Sequence, residues 1–434
     1  MKSFVRKIVI GILRWEVRLA LWLHRPKIIA ITGSVGKTST KEAIACALTP
    51  FFSLRKSVKS YNSDFGVPLT VLGLQNAGGS PILWFKNIIL GFFLALFGRK
   101  QPQWLVVEVG AGEPGDIRKF AKMLSPDIVV VTRFAEIPVH VEFFSSPEAV
   151  ISEKTLLVRA VQKGGTVILG ADDPKVAALA NDFKNLRALR YGVSGGVEVR
   201  GADYAVLYEG EGVSRLPSGV SFKVMVGGRS FPLSVYGVLG EHLIQPVLAG
   251  FAVASALNLD FGRVAQAFEG FTPPAGRMRL ISGLNDSCLI DDSYNASPVA
   301  MSEALSALAS LSVQGRKVAI VGGMAELGQF SPEEHRKVGV LAARSCSRLV
   351  VVGELAQGIA VAAREAGMPS SQVRSFKTSG EAAGVLASEL LAGDVVLIKG
   401  SASVRMERVV KALMKEKGRA AELLVRQESE WRDR

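Results

Sequence analysis

The feature that most constrains the fold is an apolar run followed at once by glycines and a lysine, KIIAITGSVGKTSTKE at 27–42. Residues 28–31 have the length and β-branched content of a buried strand, and Ser39–Leu48 is predicted to be a helix. Glycines between the two elements allow backbone N–H groups to approach an oxyanion, and the start of the helix adds partial positive charge. The sequence therefore predicts a phosphate-binding loop.

Separate tasks are predicted for the residues of this loop. Lys37 reaches the terminal phosphates of a nucleotide, and the Thr38 hydroxyl binds Mg²⁺. The other predicted nucleotide-binding residues are Gly33, Ser34, Gly36 and Ser39. The spacing G-x-x-G-K-T is shorter than G-x-x-x-x-G-K-[ST], so a glycine turn that carries a solvated lysine stays open as an alternative.

The composition narrows the classes of partner. The 434 residues carry a formal net charge of +13, and this length suits roughly two or three domains. No DNA- or RNA-binding motif accompanies the charge, so nucleic acid is not a predicted partner. An anionic lipid or a multiply phosphorylated substrate is a better explanation of the positive charge. Three widely spaced cysteines indicate reduced thiols in a cytosolic protein, and the four histidines show no i, i+4 pair that would suggest zinc.

Two apolar segments point to a membrane surface. Residues 4–23 form a predicted amphipathic helix whose basic residues disfavour a membrane span and are typical of a helix lying on a membrane. Packing of this helix on the core of the protein is the alternative. No cleavable signal peptide is predicted. Residues 81–98, which end at Arg99 and Lys100, are expected to form an exposed apolar insertion that dips into the membrane beside the first segment.

A buried carboxylate is predicted near the loop. Trp104–Gly110 reads as a strand with Glu108 inside its apolar run. A carboxylate there is costly unless it is paired or bound to a metal. Glu108 is therefore either an Mg²⁺ ligand at the carboxyl end of its strand or one half of a structural salt bridge.

The order of elements predicts an α/β fold. Helices alternate with strands up to about residue 190, as in a parallel, doubly wound sheet. Short alternating runs at 192–237 predict an antiparallel β-rich insertion. We divide the chain into a basic amphipathic segment, 1–26, a central domain that carries the phosphate-binding loop, 27–274, and a C-terminal α/β domain, 275–434.

Seven stretches taken together resemble the Mur ligases, the ATP-dependent amide ligases of peptidoglycan synthesis. These stretches are ITGSVGKTSTKE, SYNSDFGVPLT, VVEVGAGEPGDI, GRMRLI, LIDDSYNASP, VGGMAELG and IKGSASVRME. DSYNA and GMAELG look specific to the branch that adds D-alanyl-D-alanine to a UDP-N-acetylmuramoyl-tripeptide. The resemblance implies a central P-loop ATPase domain with a parallel sheet and a β-rich insertion, followed by a Rossmann-like domain.

The resemblance also implies a reaction. ATP phosphorylates a substrate carboxylate to an acyl phosphate, and an amine then attacks to form an amide. The implied substrates are a muramoyl-peptide precursor and D-alanyl-D-alanine, and the implied cofactors are ATP and Mg²⁺. We expect a cytoplasmic monomer, held peripherally at the inner face of the cell membrane.

Two metal sites are implied by the resemblance. Thr38 and Glu108 would bind one Mg²⁺. His140 and Lys154 would serve a second, with Lys154 carried as a carbamate so that a cation becomes a carboxylate-like ligand. A structural role for His140 and a surface position for Lys154 stay open.

The remaining implied residues contact the nucleotide. Lys37, His140, Lys154 and Arg277 form the catalytic set. Arg277, in a predicted linker at 271–277, matches an arginine near the γ-phosphate. Asp292 and Asn295 would meet the nucleotide from the C-terminal domain, so domain closure would assemble the site.

The sequence departs from the family pattern in three places. Residues 1–26 stand where the family has its UDP-sugar domain. Leu243 and Pro246 replace both asparagines of a G-x-H-N-x-x-N pattern, which puts the mode of adenine binding in question. Arg279 adds charge near the presumed phosphates. Other candidate functions are ligation or amidation of a lipid-linked precursor, addition to another carboxylate such as a polyglutamate, and a non-catalytic nucleotide-binding scaffold.

Overall fold

The structure is a computed structural model that describes residues 3–58, 61–98, 102–428 and 431. Ser60 of the SYNSDFGVPLT stretch, Arg99 and Lys100, and the last residues of the charged C-terminal tail lie outside the described residues. The predicted α/β class is confirmed, because helices cover two sheets dominated by parallel strands.

Within the described ranges, the first sheet contains nine strands. They are β1 Lys27–Thr32, β2 Leu54–Lys56, β3 Trp104–Glu108, β4 Ile128–Val131, β5 Thr166–Gly170, β6 Arg187–Gly192, β7 Val199–Glu209, β8 Leu216–Val226 and β9 Arg229–Tyr236. Their order is β2-β3-β1-β4-β5-β6-β7-β8-β9. Pairing is parallel as far as β7 and antiparallel between β7, β8 and β9. The predicted β-rich insertion is thus antiparallel, and it extends the parallel sheet.

Helices cover both faces of this sheet. They are α1 Ser3–His24, α2 Lys37–Leu48, α3 Gly66–Leu72, α4 Pro81–Phe97, α5 Asp116–Leu124, α6 Pro147–Arg159, α7 Pro174–Asp182, α8 Ile244–Ala256 and α9 Phe261–Ala267. Successive side chains of a strand point to opposite faces. Ile29 and Ile31 accordingly join the core beneath α2 and α8, whereas Ile28 and Ala30 join the core on the opposite face.

α1 and α4 pack against each other, and buried residues of both helices join the core on one face of the sheet. Leu13 and Val17 of α1 are fully buried, while Trp15 and Trp22 are exposed. The N-terminal helix therefore packs on the core of the protein through one face and leaves another face open. In the described residues no helix combines the length and the hydropathy that a membrane span requires.

The second sheet has six strands in the described part of the chain, and it has its own helices. The strands are β10 Arg279–Ser282, β11 Cys288–Asp292, β12 Lys317–Gly322, β13 Arg348–Val352, β14 Val373–Phe376 and β15 Val395–Lys399. The helices are α10 Pro298–Ala309, α11 Ser331–Ser345, α12 Gln357–Glu365, α13 Ser379–Leu386, α14 Glu407–Leu413 and α15 Ala420–Leu423. The order is β10-β11-β15-β12-β13-β14, and only β10 is antiparallel to its neighbour among these strands.

Candidate active site

The loop between β1 and α2 has the backbone of a phosphate-binding turn. Gly33 and Gly36 take φ values of 139° and 83°, which side chains disfavour. A Cβ on Gly33 would lie 2.0 Å from Thr132 Oγ1, so only glycine fits there. Gly36 precedes α2 without a side-chain cap, which leaves first-turn N–H groups for an oxyanion. Ser34 Oγ is buried and has no hydrogen-bond partner among the described residues.

Lys37 folds over this loop instead of extending into solvent. Its Nζ donates to the carbonyl oxygens of Gly33 at 2.9 Å and of Ser34 at 3.4 Å. Burial lowers the pKa of Lys37; the charge of Glu108 raises it, and that of Arg277 lowers it further. The ammonium is therefore poorly compensated where terminal phosphates would lie.

Glu108 ends β3 beside Thr38. The carboxylate is 1% exposed, and it accepts hydrogen bonds from Thr38 Oγ1 at 3.0 Å and Asn62 Nδ2 at 3.2 Å. Within the described residues no lysine, arginine or histidine forms a salt bridge with it, so the predicted alternative of a structural salt bridge is not observed. Ser39, in the first turn of α2, is also buried.

The donor set fits a hard divalent cation. A threonine hydroxyl and a carboxylate converge on one point, and Mg²⁺ prefers such oxygen ligands together with phosphates and water. No three His, Cys, Asp or Glu side chains cluster as a metal site in the part of the chain that the structure describes. A cation at Glu108 would thus depend on phosphate oxygens to complete its shell.

Lys154 lies in α6 and is not a surface residue. It is 3% exposed, and the structure places no hydrogen bond or ion pair on its ammonium within the described ranges. Burial, and secondarily the charge of Lys37, lowers the pKa of Lys154 to about 7. A large fraction of this amine is therefore neutral near pH 7, and a neutral amine is nucleophilic.

Arg277 brings a third cation to the loop. Its charge acts on Lys37, and its guanidinium lies 4.1 Å from the ring centroid of Tyr294. The Arg277 Nε atom is buried, without a partner among the described residues. Such an orphaned donor, on an arginine whose charge reaches Lys37, fits an anionic ligand.

In the described structure, no contact joins His140 to another of the predicted site residues. It has a left-handed backbone, with φ of 69°, and its Nδ1 lies 2.6 Å from Glu326 Oε2. Hydrogen bonding to His140 lowers the pKa of Glu326. The observed partner of His140 thus comes from the loop after β12.

Asp292 and Asn295 are engaged by the second sheet. Asp292 Oδ2 lies 2.5 Å from Lys399 Nζ, and Lys399 also donates to the Asn295 carbonyl at 3.0 Å. The Asn295 side-chain oxygen accepts from Ala402 N at 3.3 Å. These contacts hold the loop after β11 to the end of β15. The Asp292 carboxylate is thus paired with the Lys399 ammonium.

A cavity of about 760 Å³ adjoins the loop and lies between the two sheets. Its volume is that of a small-molecule site. Its lining includes Gly36, Thr40, Arg133, Asp172, Tyr191, His242, Gln245, Pro246 and Glu303. Gln245 Nε2 donates to Asp172 Oδ2 at 2.6 Å. Arg133 and Glu303 form a 2.6 Å ion pair across the cavity.

The substituted G-x-H-N-x-x-N positions differ in their surroundings. Leu243 packs against the core, and Pro246 lines the cavity. Polar groups at this cavity come instead from Gln245 and Asp172. Arg279 experiences the charges of Asp291, Glu422 and Arg419 of the second domain.

Sequence reasoning missed three contacting residues. Asn62, Tyr294 and Glu326 touch Glu108, Arg277 and His140 respectively. All three lie inside stretches that carried the family resemblance, SYNSDFGVPLT, LIDDSYNASP and VGGMAELG. The sequence could have pointed to these three residues through those stretches. It could not have identified their contacts, because their partners are distant along the chain.

Models of two protein domains match the chain. The Mur ligase middle domain matches residues 31–254, and the Mur ligase glutamate ligase domain matches residues 276–402. The UDP-N-acetylmuramoyl-tripeptide–D-alanyl-D-alanine ligase of Mycobacterium tuberculosis (strain CDC 1551 / Oshkosh) is 32% identical over 417 residues, covering 89% of this chain and 72% of that protein.

Solved structures show the same fold. MurF ligase from Thermotoga maritima, in complex with ADP, superposes with a TM-score of 0.75 at 24% identity, covering 94% of this chain and 84% of that one. A crystal structure of MurF from Acinetobacter baumannii gives a TM-score of 0.74 at 24% identity, covering 92% of this chain and 79% of that one. The two-sheet arrangement is therefore that of these proteins.

Proposed function

The chain belongs to the Mur ligase family, and from that premise we propose that it is an ATP-dependent amide ligase that adds D-alanyl-D-alanine to a muramoyl-tripeptide. The observation that carries the proposal is the charge at the loop. The charges of Glu108 and Arg277 act on Lys37, and the charge of Lys37 acts on Lys154. Three cations, Lys37, Lys154 and Arg277, thus share this site. Glu108 is the one carboxylate among the charges that act on the two lysines. Such a site suits a polyphosphate and an anionic acyl group.

The nucleotide is assigned to the loop and the adjoining cavity. Gly33, Ser34, Gly36 and Ser39 line the phosphate end, Lys37 and Arg277 meet the terminal phosphates, and the base occupies the cavity beside Gln245. ATP supplies the phosphoryl group that activates the substrate carboxylate. The lysine and arginine neutralise charge as the phosphoryl group moves to the carboxylate and ADP leaves. The amine of the second substrate then attacks the acyl phosphate, which forms the amide and expels phosphate.

Mg²⁺ is assigned first to Thr38 and Glu108. Their hydroxyl and carboxylate oxygens are 3.0 Å apart, and the ion would neutralise phosphate charge there. A second Mg²⁺ is assigned to Lys154 as a carbamate and, on the family resemblance alone, to His140, whose observed partner is Glu326. In this assignment the neutral Lys154 amine forms a bond to the carbon of CO₂ and releases a proton, which leaves a carboxylate-like anion. Asp292 and Asn295 support the loop that faces the nucleotide.

The test is an amide-formation assay with both proposed substrates. Wild-type protein, ATP, Mg²⁺, the tripeptide precursor and D-alanyl-D-alanine should yield the amide, ADP and phosphate. Lys37→Ala should abolish the product. Ammonia and single amino acids serve as alternative amines, and product formation from one of these alone would assign a different ligase. Product from Lys37→Ala at the normal rate would contradict the mechanism.

A second candidate concerns where the carboxylate substrate comes from. Among the described residues, 13 of the 22 exposed large apolar side chains lie on α1 and α4. Trp15 and Phe92 stack across the two helices with ring centroids 6.0 Å apart, and exposed basic residues such as Lys7, Arg18 and Lys86 border the surface. Tryptophans with flanking cations favour an anionic lipid surface.

We therefore propose peripheral attachment at the inner face of the cell membrane, where a lipid-linked precursor could be the substrate. Wild-type protein should float with phosphatidylglycerol vesicles, and Trp22→Glu/Phe93→Glu should not. Val361→Glu, an exposed apolar position on α12, is the matched control. Flotation of the double variant at the wild-type level would exclude this surface. Competition between soluble and lipid-linked acceptors decides the substrate.

A further inference from the structure

Tyr294 supports Arg277 without consuming its hydrogen-bond donors. The Arg277 guanidinium carbon lies 4.1 Å from the Tyr294 ring centroid. In the described part of the chain no carboxylate pairs with Arg277, and its Nε is buried without a partner. A guanidinium that contacts the face of an aromatic ring keeps the N–H groups in its own plane for another ligand. The contact therefore restrains the position of Arg277 while leaving its donors for an anion.

The backbone beside Arg277 is tied to the same tyrosine. Tyr294 N donates to the Gly276 carbonyl at 3.1 Å. Gly276 has φ of 67°, and a Cβ there would lie 3.0 Å from Tyr294 N and 3.2 Å from Val425 Cγ1. Residue 276, Tyr294 and the C-terminal tail are thus packed with no room for a further carbon atom.

A second arginine, from that tail, fixes the tyrosine. Arg426 Nη1 donates to the Ser293 carbonyl at 3.2 Å, and Nη2 donates to the Tyr294 carbonyl. Its guanidinium carbon lies 5.3 Å from the Tyr294 ring centroid. Arg426 also reaches Glu407 Oε2 at 3.3 Å. Arg426 therefore contacts both the backbone and the ring of Tyr294, the residue on which Arg277 packs.

The part of the tail around Arg426 is packed into the protein core. The Arg426 side chain is 7% exposed and Glu407 is 1% exposed. A charge at such depth needs partners, because an unpaired buried charge is strongly destabilising. Trp431 adds an aromatic face 5.6 Å from Arg426. The tail therefore anchors Arg426 through buried contacts.

We propose that Tyr294 and Arg426 are positioning residues that hold Arg277 at the γ-phosphate, so the C-terminal tail is part of the active-site framework. The proposal rests on the proposed function, in which Arg277 meets that phosphate. Neither residue touches the reacting atoms; each acts through Arg277.

The experiment measures how much the γ-phosphate adds to nucleotide affinity. Titration calorimetry on the full chain with Mg²⁺ gives the Kd of ADP and of a non-hydrolysable ATP analogue, and their ratio is the γ-phosphate gain. Arg277→Ala should lose most of the gain. Tyr294→Leu and Arg426→Met should reduce it by at least about threefold, with ADP affinity within about twofold of wild type. A general loss of structure would weaken both nucleotides alike.

Two matched variants sharpen the comparison. Tyr294→Phe keeps the ring and should restore the gain. Arg419→Ala removes another tail arginine whose ion pairs are exposed, and it should change neither affinity. If Tyr294→Leu does not fold, as judged by thermal melting, Arg426→Met decides.

The outcomes separate the two levels of inference. If Arg277→Ala keeps the gain, its assigned contact with the γ-phosphate is wrong. If Arg277→Ala loses the gain while folded Tyr294→Leu and Arg426→Met keep it, Arg277 retains its role and the positioning proposal is overturned.

Discussion

His140 Nδ1 lies 2.6 Å from Glu326 Oε2, and this pair joins the loop after β4 in the first sheet to the loop after β12 in the second. Both residues have a left-handed backbone, with φ of 69° and 63°. Two residues further on, a Cβ on Gly328 would lie 3.0 Å from Glu142 Cβ, so the two loops are in close contact. Strained non-glycine residues persist where their surroundings hold them. The contact is therefore a specific tie between the two domains.

Removing this tie should alter domain closure more than stability. The pair is roughly one-third exposed on each side, and such pairs contribute less than about 1 kcal/mol. We expect Glu326→Ala to melt near the wild-type temperature but to show a larger radius of gyration in small-angle scattering with nucleotide bound. Glu354→Ala, an exposed site on the same domain, should change neither. An unchanged radius would contradict a closing role for the pair.

Carbamylation of Lys154 should depend on pH. Because burial lowers the pKa of Lys154 to about 7, its amine is mostly neutral at pH 8 and mostly protonated at pH 6. Only the neutral amine adds CO₂. With ¹³C-bicarbonate we expect a carbamate signal in the NMR spectrum at pH 8 that fades at pH 6 and is missing in Lys154→Arg. A signal that persists in the arginine variant would place the carbamate elsewhere.

Neutralising Glu108 should weaken metal binding with little change of shape. Glu108→Gln keeps a side chain of similar size between Thr38 and Asn62 but removes the anion that a divalent cation needs. We expect Mn²⁺ affinity, measured by electron paramagnetic resonance in the presence of ADP, to fall at least about tenfold, roughly 1.4 kcal/mol. Asp292→Asn is the comparison. Its carboxylate pairs with Lys399, so Mn²⁺ affinity should change less. An equal loss in both variants would argue against Glu108 as the ligand.

A buried acid in α1 should make stability depend on pH. Glu16 packs where a Cβ on Gly91 of α4 would lie 2.3 Å from its Oε2. Burial raises the pKa of Glu16 from 4.5 to about 7. The folded state therefore holds this proton more tightly than the unfolded state. The associated stability is complete below about pH 4.5 and is lost as the pH rises through 7.

Glu16→Gln removes this ionisation. We expect it to match wild type at pH 5 and to exceed it at pH 8 by about 1–3 kcal/mol in urea unfolding. Glu354→Gln, on an exposed position, should have no pH-dependent effect. A Glu16→Gln difference that is the same at both pH values would show that packing, and not ionisation, causes it.

The local elements could be predicted because their causes are local. An apolar run, two glycines and a helix start follow each other within 27–48, so β1, the loop and α2 are specified by neighbouring residues. The same holds for Glu108 at the end of β3. Elements with weaker patterns, such as β10 and α13, were not predicted, because long-range pairing and packing decide them.

The sequence by itself determined the phosphate loop, the α/β class and, through its motifs, the family. Only the tertiary structure decided which groups meet. Among the described residues, Glu108 accepts hydrogen bonds from Thr38 and Asn62 and forms no salt bridge, His140 is paired with Glu326, and Tyr294 and a C-terminal arginine support Arg277. These contacts join residues that are distant along the chain. Burial, charge compensation and pKa depend on all the elements packed around a group, and no local pattern records them.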